Sequence, residues 1–370
     1  MPLKTNLITL AGRLLGLFFP QRPLPPNPQT IIVLKPCCLG DVVLATAALA
    51  ALKQRYPQAQ IDVAVGDWSR AGLENNPHLR RLVNSGQVGQ GGYRLADLWA
   101  LAQKLRQNGY DLAITLDRSP LVGLAPWLAG IRDRLGLDSY GRGFAHTFRA
   151  PVAEAPRHEA LIYLDCIAAA GGAQNQSKFW PEFYPTAADR AALPPLIKTP
   201  FTIIHPAGGV NPGMRMLDKR WPADRLAALA DRLSRRGFQV ILTGAAADLP
   251  LCQEVAGRMT ASAPLLLAGQ LTLGQFGALC QKAALFVGGD TGAMHLAVAS
   301  GCKTLAIFGP TDPNRYAPFA PAGQARCLWR EVRLPQGGVG QGQVVGFSWA
   351  AGVTVDEAWE ACQQLLGEVS

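Results

Sequence analysis

The sequence has no uninterrupted apolar run of the roughly 20 residues that a membrane-spanning helix requires. It also has no CxxC pair, no cysteine–histidine cluster at zinc spacing and no GxGxxG turn. These absences exclude a polytopic membrane protein, a zinc-ribbon or thioredoxin-type redox domain, and a dinucleotide-binding fingerprint. Charge is sparse as well, with 16% Asp, Glu, Lys and Arg against 49% apolar residues, a globular balance. The eight cysteines, at 37, 38, 166, 252, 280, 302, 327 and 362, fall mostly inside apolar patterns, where Cys behaves as a small hydrophobe. That usage predicts a reducing compartment and no disulfide framework. No basic stripe is interleaved with aromatics, so a net charge of +9 is not a nucleic-acid signature. It is either a general solubility charge or an attraction toward phosphorylated sugars or a membrane face.

What is present is length and alternation. The 370 residues suit two domains, each able to bury its own core. Residues 1–20 are largely apolar, with Lys4 and Arg13 among them and no signal-peptide cleavage site. Two readings stay open: a helix lying on an anionic membrane surface, or one packed on its own domain. A Pro-rich spacer, residues 20–28, follows.

From residue 30 short apolar runs alternate with helical stretches. Strands are predicted at 31–34, 61–65, 81–83 and 111–116, with helices at 41–56 and 95–107, the latter stopped by Asn108-Gly109. Residues 185–200 read as a linker. The alternation restarts with strands at 201–205, 238–243, 265–268, 285–287 and 304–308. A helix opens at Pro222 with Leu226, Leu229, Ala230 and Leu233 on one face, and Gly237 ends it. Residues 337–342 read as a flexible Gly-rich loop and 354–366 as a closing helix. The fold class is therefore α/β: two doubly wound, Rossmann-like domains, with ligands expected in a cleft at the carboxyl ends of the strands.

Four segments could carry chemistry. Lys35-Pro-Cys-Cys-Leu-Gly-Asp41 joins the first strand to the first helix. Asp41 is placed either to accept a proton as a general base or simply to complement the helix dipole. His205-Pro-Ala-Gly208-Gly209 follows a strand, where adjacent glycines let a phosphate approach the backbone or merely make a turn. Lys219 and Arg220 precede a helix N-terminus, an unfavourable place for cations unless an anion is near. Gly288-Gly-Asp290-Thr291-Gly292-Ala-Met-His295, followed by Phe308-Gly-Pro-Thr-Asp-Pro313, presents backbone N–H groups in the manner of a diphosphate site. There Thr291 adds a hydroxyl, and His295 either faces the site or packs beneath the loop.

In this order and spacing, LGDVVLATAALAALKQRYP, GGDTGAMHLAVASG and FGPTDP resemble glycosyltransferase family 9, the heptosyltransferases of lipopolysaccharide core assembly. The likeness runs from about Ile31 to Leu366. It implies the GT-B fold, with the active site between two Rossmann-like domains. It further implies inverting transfer of heptose, or a related sugar, from an ADP-sugar without a metal or other cofactor. The domains it implies are an extension over 1–29, an acceptor domain over 30–185, a donor domain over 198–345 and a C-terminal helix over 354–367.

Asp41 matches the family's proposed base and Lys219 its contact to the donor diphosphate. Asp290, Thr291, Gly292 and His295 match the donor loop. Thr243, Gly244 and Asp248 fall where the donor ribose is held, with Gly208 and Gly209 beside the phosphates. Arg118 and Ser119 fall on the acceptor side. The resemblance implies a lipid-linked or lipopolysaccharide glycan acceptor and no nucleic acid. The expected location is the cytoplasm, and the cytoplasmic face of the inner membrane if residues 1–20 take the first of their two readings. The chain departs from the family at Lys35-Pro-Cys-Cys38, in its N-terminal extension and in the Gly-rich stretch 326–347. A non-catalytic nucleotide-sugar-binding or scaffold protein of the same fold is the alternative.

Overall fold

The computed structural model describes residues 3–89, 92, 94–173, 175–211, 214–331 and 347–367. The expected loop at 337–342 lies outside the described residues. The chain divides into two compact units, Met1–Phe179 and Trp180–Ser370. Both are α/β, as the alternation predicts.

The first unit holds six strands: β1 Thr30–Leu34, β2 Gln60–Val65, β3 Arg81–Asn84, β4 Leu112–Thr115, β5 Asp133–Asp138 and β6 Phe148–Pro151. They pair in the order β3-β2-β1-β4-β5-β6, every pair parallel. The strand order reverses direction at β1 and β4, the place where a doubly wound sheet opens a crevice at its carboxyl edge. β1 is buried along Ile31 to Leu34 because helices cover both faces of the sheet.

β5 and β6 are absent from the sequence-based expectations. β5 reads DRLGLD, with charges and a glycine where an apolar run would be expected. Gly136 sits there because the His146 ring fills the space that a Cβ would take. Arg134 is buried, and its guanidinium donates to the carbonyls of Ile131, Arg132 and Ala145. Packing around the ring and carbonyl partners for the guanidinium offset poor strand propensity.

The second unit repeats the plan. β7 Phe201–His205, β8 Val210–Asn211, β9 Met214–Arg215, β10 Gln239–Leu242, β11 Leu265–Leu266, β12 Leu285–Gly288, β13 Thr304–Phe308 and β14 Ala325–Trp329 follow in chain order. The main sheet runs β11-β10-β7-β12-β13-β14, all parallel, and β8 pairs antiparallel with β9 as a separate hairpin. Alternation along β7 sends Phe201 and Ile203 into one core and Ile204 into the other. The helix Ala223–Arg235 lays Leu226, Leu229, Ala230 and Leu233 on the Ile204 side. Pro222 caps this helix instead of opening it.

The closing helix, Val355–Leu366, is started by a reciprocal cap between Thr354 and Glu357. It adds Ala358, Ala361, Cys362 and Leu365 to the same core. The stretch 185–200 carries a short helix, Ala187–Ala191, and packs Leu193 and Ile197 on the second unit. Six cysteines are free, and Cys37 pairs with its neighbour Cys38, a link that closes no loop of the fold. Burial pushes the Cys302 and Cys362 thiols up to about 12, which suits packing roles.

Candidate functional site

In the second unit the site grows from the carboxyl ends of β7, β10, β12 and β13. β12 ends in Gly288-Gly289, and a Cβ on Gly289 would lie 3.0 Å from the Lys219 carbonyl oxygen. That closeness sets the Asp290-Thr291 turn directly on the Lys219 turn. The Lys219 ammonium then donates to Asp290 Oδ2 at 2.6 Å, and both side chains are about nine-tenths buried.

The unfavourable cations before the helix at Ala223 thus have their anions inside the protein. Asp290 meets Lys219, and Asp248 meets Arg220 Nη2 at 3.4 Å. Arg220 Nε also donates to the Gly208 carbonyl at 2.9 Å. Gly208, at φ +137°, lies against the Thr291 methyl, which leaves no room for a Cβ. Gly209, at φ +76°, faces the Met216 carbonyl with the same consequence.

Thr291 caps the helix Gly292–Ala299, its Oγ1 accepting from the Met294 N–H at 3.1 Å. The cap uses a lone pair of the hydroxyl oxygen and leaves its O–H able to donate to a ligand, while the first N–H groups of that helix have no intrahelical acceptor. His295 is buried one turn in. Asp248 accepts from the Ala245 N–H at 3.0 Å and closes the turn after Thr243-Gly244. His205 Nδ1 lies 3.1 Å from Thr243 Oγ1, and burial pushes the ring down to about 4, so it is neutral at physiological pH.

The expected donor residues therefore form one connected set within this unit. The void beneath them, bounded by His205, Lys219, Trp221 and Gly288, is about 10 Å³, room for a water and not for a nucleotide. Any nucleotide must lie on the open carboxyl edge above it.

In the first unit Asp41 occupies the first turn of the helix Leu39–Arg55. Tyr163, on the helix Glu159–Ala169, donates its hydroxyl hydrogen to Asp41 Oδ1 at 2.9 Å. One turn earlier on the same helix, the buried Glu159 accepts from Arg118 at 2.8 Å. Positions 159 and 163 share a face, so a single helix holds the expected base and the expected acceptor arginine. Ser119 donates its N–H to Asp117 Oδ1 at 2.7 Å. Lys35 lies 3.8 Å from Asp117 Oδ2 and 5.7 Å from the Tyr163 ring centre. Tyr163, Glu159 and Asp117 were absent from the sequence-based site, whereas Arg220 stood beside Lys219 in its basic segment. The Glu159–Tyr163 spacing of four was the readable signal.

The model for glycosyltransferase family 9 (heptosyltransferase) matches residues 98–336, well over half of the chain. The chain belongs to glycosyltransferase family 9. It is a glycosyltransferase of the GT-B fold. Lipopolysaccharide heptosyltransferase 2 of Salmonella typhimurium is 29% identical over 302 residues, covering 78% of this chain and 85% of that protein. The solved family 9 glycosyl transferase of Veillonella parvula superposes with a TM-score of 0.79 at 22% identity, covering 94% of this chain and all of that one. The E. coli ADP-heptose lps heptosyltransferase II superposes at 0.71 with 24% identity, over 92% of this chain and 99% of its own. At these identities the two structures speak for the fold alone.

Proposed function

We propose that this glycosyltransferase moves heptose, or a closely related sugar, from an ADP-sugar to a lipopolysaccharide core or other lipid-linked glycan. The transfer inverts the anomeric centre in a single displacement, which needs one base and no covalent intermediate, and the positive site serves the leaving diphosphate in place of a metal. The observation that carries the reading is the Lys219–Asp290 pair set against Gly208 and the N-terminus of the helix Gly292–Ala299. An ammonium, unpaired helix N–H groups and a close glycine backbone together suit a diphosphate. The name of the Salmonella relative supplies the sugar and the acceptor class.

In this reading the acceptor hydroxyl gives its proton to Asp41 as its oxygen attacks the anomeric carbon. The bond from that carbon to the β-phosphate oxygen breaks on the opposite face, and ADP leaves. Negative charge grows on the departing phosphate, where Lys219 and the helix N–H groups stabilise it. Before the donor binds, Asp290 holds the ammonium in place, and the diphosphate then shares it. Arg118 lies near Asp41 through their common helix and suits an anionic acceptor. A cytoplasmic nucleotide-sugar and a lipid-linked acceptor put the reaction at the cytoplasmic face of the inner membrane.

Purified protein is to be given ADP-heptose, GDP-mannose or UDP-glucose with a lipopolysaccharide core acceptor. Acceptor-dependent ADP release with ADP-heptose alone supports the reading. Tight ADP-heptose binding without turnover on any acceptor would instead make the chain a nucleotide-sugar-binding protein of the same fold.

A further inference from the structure

The N-terminal helix, Leu3–Gly16, docks on the first unit by its small face. Gly12 and Gly16 are buried, and a Cβ on Gly12 would run into the Gly141 carbonyl. Arg149 Nη2 donates to the carbonyls of Gly16 and Phe19 and fixes the helix end. The Phe19 ring packs edge-on against Trp127, with ring centres 5.4 Å apart. Among the described side chains, Leu10, Leu14, Leu15, Leu17 and Phe18 point the other way. Leu10 is 56%, Leu14 55%, Leu17 78% and Phe18 80% exposed, and Trp127 beside them is 48% exposed. A helix that serves only its own domain buries its leucines and shows its small or polar residues to water. Here the arrangement is reversed, and a contiguous exposed apolar face marks a surface that something else covers.

The chemistry of that something is set by charge. Between Phe18, Trp127 and the sheet edge lies an open cavity of about 310 Å³, lined also by Arg22, Arg132 and Arg134. Arg22 and Arg132 make no ion pair among the described residues, and Asp133 is the one carboxylate that acts on Arg134. Residues 1–29 contain Lys4, Arg13 and Arg22 and no acidic residue. Arg13 and Arg142 flank the helix, both exposed. A second copy of this chain on the same face would set these arginines against their own counterparts, with no carboxylate on the helix to meet them. A phosphate on an apolar tail meets both demands.

We propose that this face docks on an anionic phospholipid bilayer. Leu10, Leu14, Leu17 and Phe18 enter the acyl boundary, and a headgroup phosphate seats among Arg22, Arg132 and Arg134. The helix, 14 residues long, lies in the interface and does not cross it. The inference deepens the lipid-linked acceptor reading, but its test involves no transfer, so each can fail alone.

The test is co-sedimentation of the full chain with phosphatidylcholine vesicles, with and without phosphatidylglycerol at roughly one lipid in three. The phosphatidylglycerol vesicles should bind at least about tenfold more protein, and added salt should release it. Leu14→Glu with Leu17→Glu should lower binding by about tenfold or more, and Arg22→Ala and Arg132→Ala by about fivefold each. All four side chains are exposed, so the variants should melt as the parent does. Millimolar inorganic phosphate should not compete, since it lacks the tail. Equal binding to both vesicle types, or unchanged binding by the leucine variant, overturns the proposal. So does a concentration-dependent dimer, seen by sedimentation velocity, that the leucine variant abolishes without any vesicle binding.

Discussion

Tyr163 holds Asp41 by a hydrogen bond of 2.9 Å, while Glu159, one turn away on the same helix, holds Arg118. The helix Glu159–Ala169 therefore sets the direction of the carboxylate proposed to take the acceptor's proton. Asp41→Asn keeps the shape and removes the base, and transfer should fall at least about a hundredfold with donor affinity unchanged. Tyr163→Phe removes a bond to a charged group worth about 1.5–3 kcal/mol. Its kcat should fall about tenfold with little change in the donor KM, measured by ADP release. Full activity in Asp41→Asn would remove Asp41 from the chemistry.

The Lys219–Asp290 pair is nearly dry, so breaking it from one side leaves an uncompensated charge. Asp290→Ala should cost about 3–5 kcal/mol of stability, or roughly 10 °C in a thermal melt of a unit this size. Replacing both partners, as Lys219→Met with Asp290→Leu, should recover most of the lost stability and none of the donor binding. A double variant that melts as low as Asp290→Ala would contradict the ion-pair account.

Gly208 is predicted to tolerate no side chain. Its φ of +137° and the Thr291 methyl opposite it would both oppose a Cβ. Gly208→Ala should cost about 1–3 kcal/mol and weaken ADP binding by calorimetry. Gly237→Ala is the control, at φ +88° with open space around it. It should lose some stability but no ADP affinity.

The loops of the proposed donor site stood out in the sequence because their signals are local: glycines after strands, and an Asp-Thr-Gly opening a helix. The same local view assigned Thr291 to the ligand and missed that its oxygen also caps the helix. It read Lys219 and Arg220 as cations in need of a nearby anion and did not find Asp290 and Asp248, which lie 71 and 28 residues away in the chain. β5 escaped notice because its glycine and arginine make sense only once His146 and the carbonyls of Ile131, Arg132 and Ala145 surround them. Long-range partners carry no short-range signature.

Buried His146 makes the first unit sensitive to acid. Burial, with Arg134 and Arg149 nearby, pushes its ring down from 6.5 to about 3. Below pH 6.5 the unfolded chain takes up a proton that the folded chain refuses until about pH 3. Stability should therefore fall as the pH drops through that window, by up to about 1.4 kcal/mol per unit. In His146→Gln that slope should flatten, as measured by urea unfolding at pH 7, 6, 5 and 4. An unchanged slope would assign the acid sensitivity to other groups.

The most direct test of the account is the affinity of ADP for Lys219→Gln. Glutamine can still donate to Asp290 but leaves its carboxylate without a counter-charge, so the variant should melt below the parent and remain folded while the positive charge is gone. Calorimetry should show ADP bound at least about tenfold more weakly, a loss of about 1.4 kcal/mol or more. An unchanged dissociation constant in a well-folded variant would mean that the diphosphate does not sit at the Lys219–Asp290 pair, and the assignment of the donor site would be wrong.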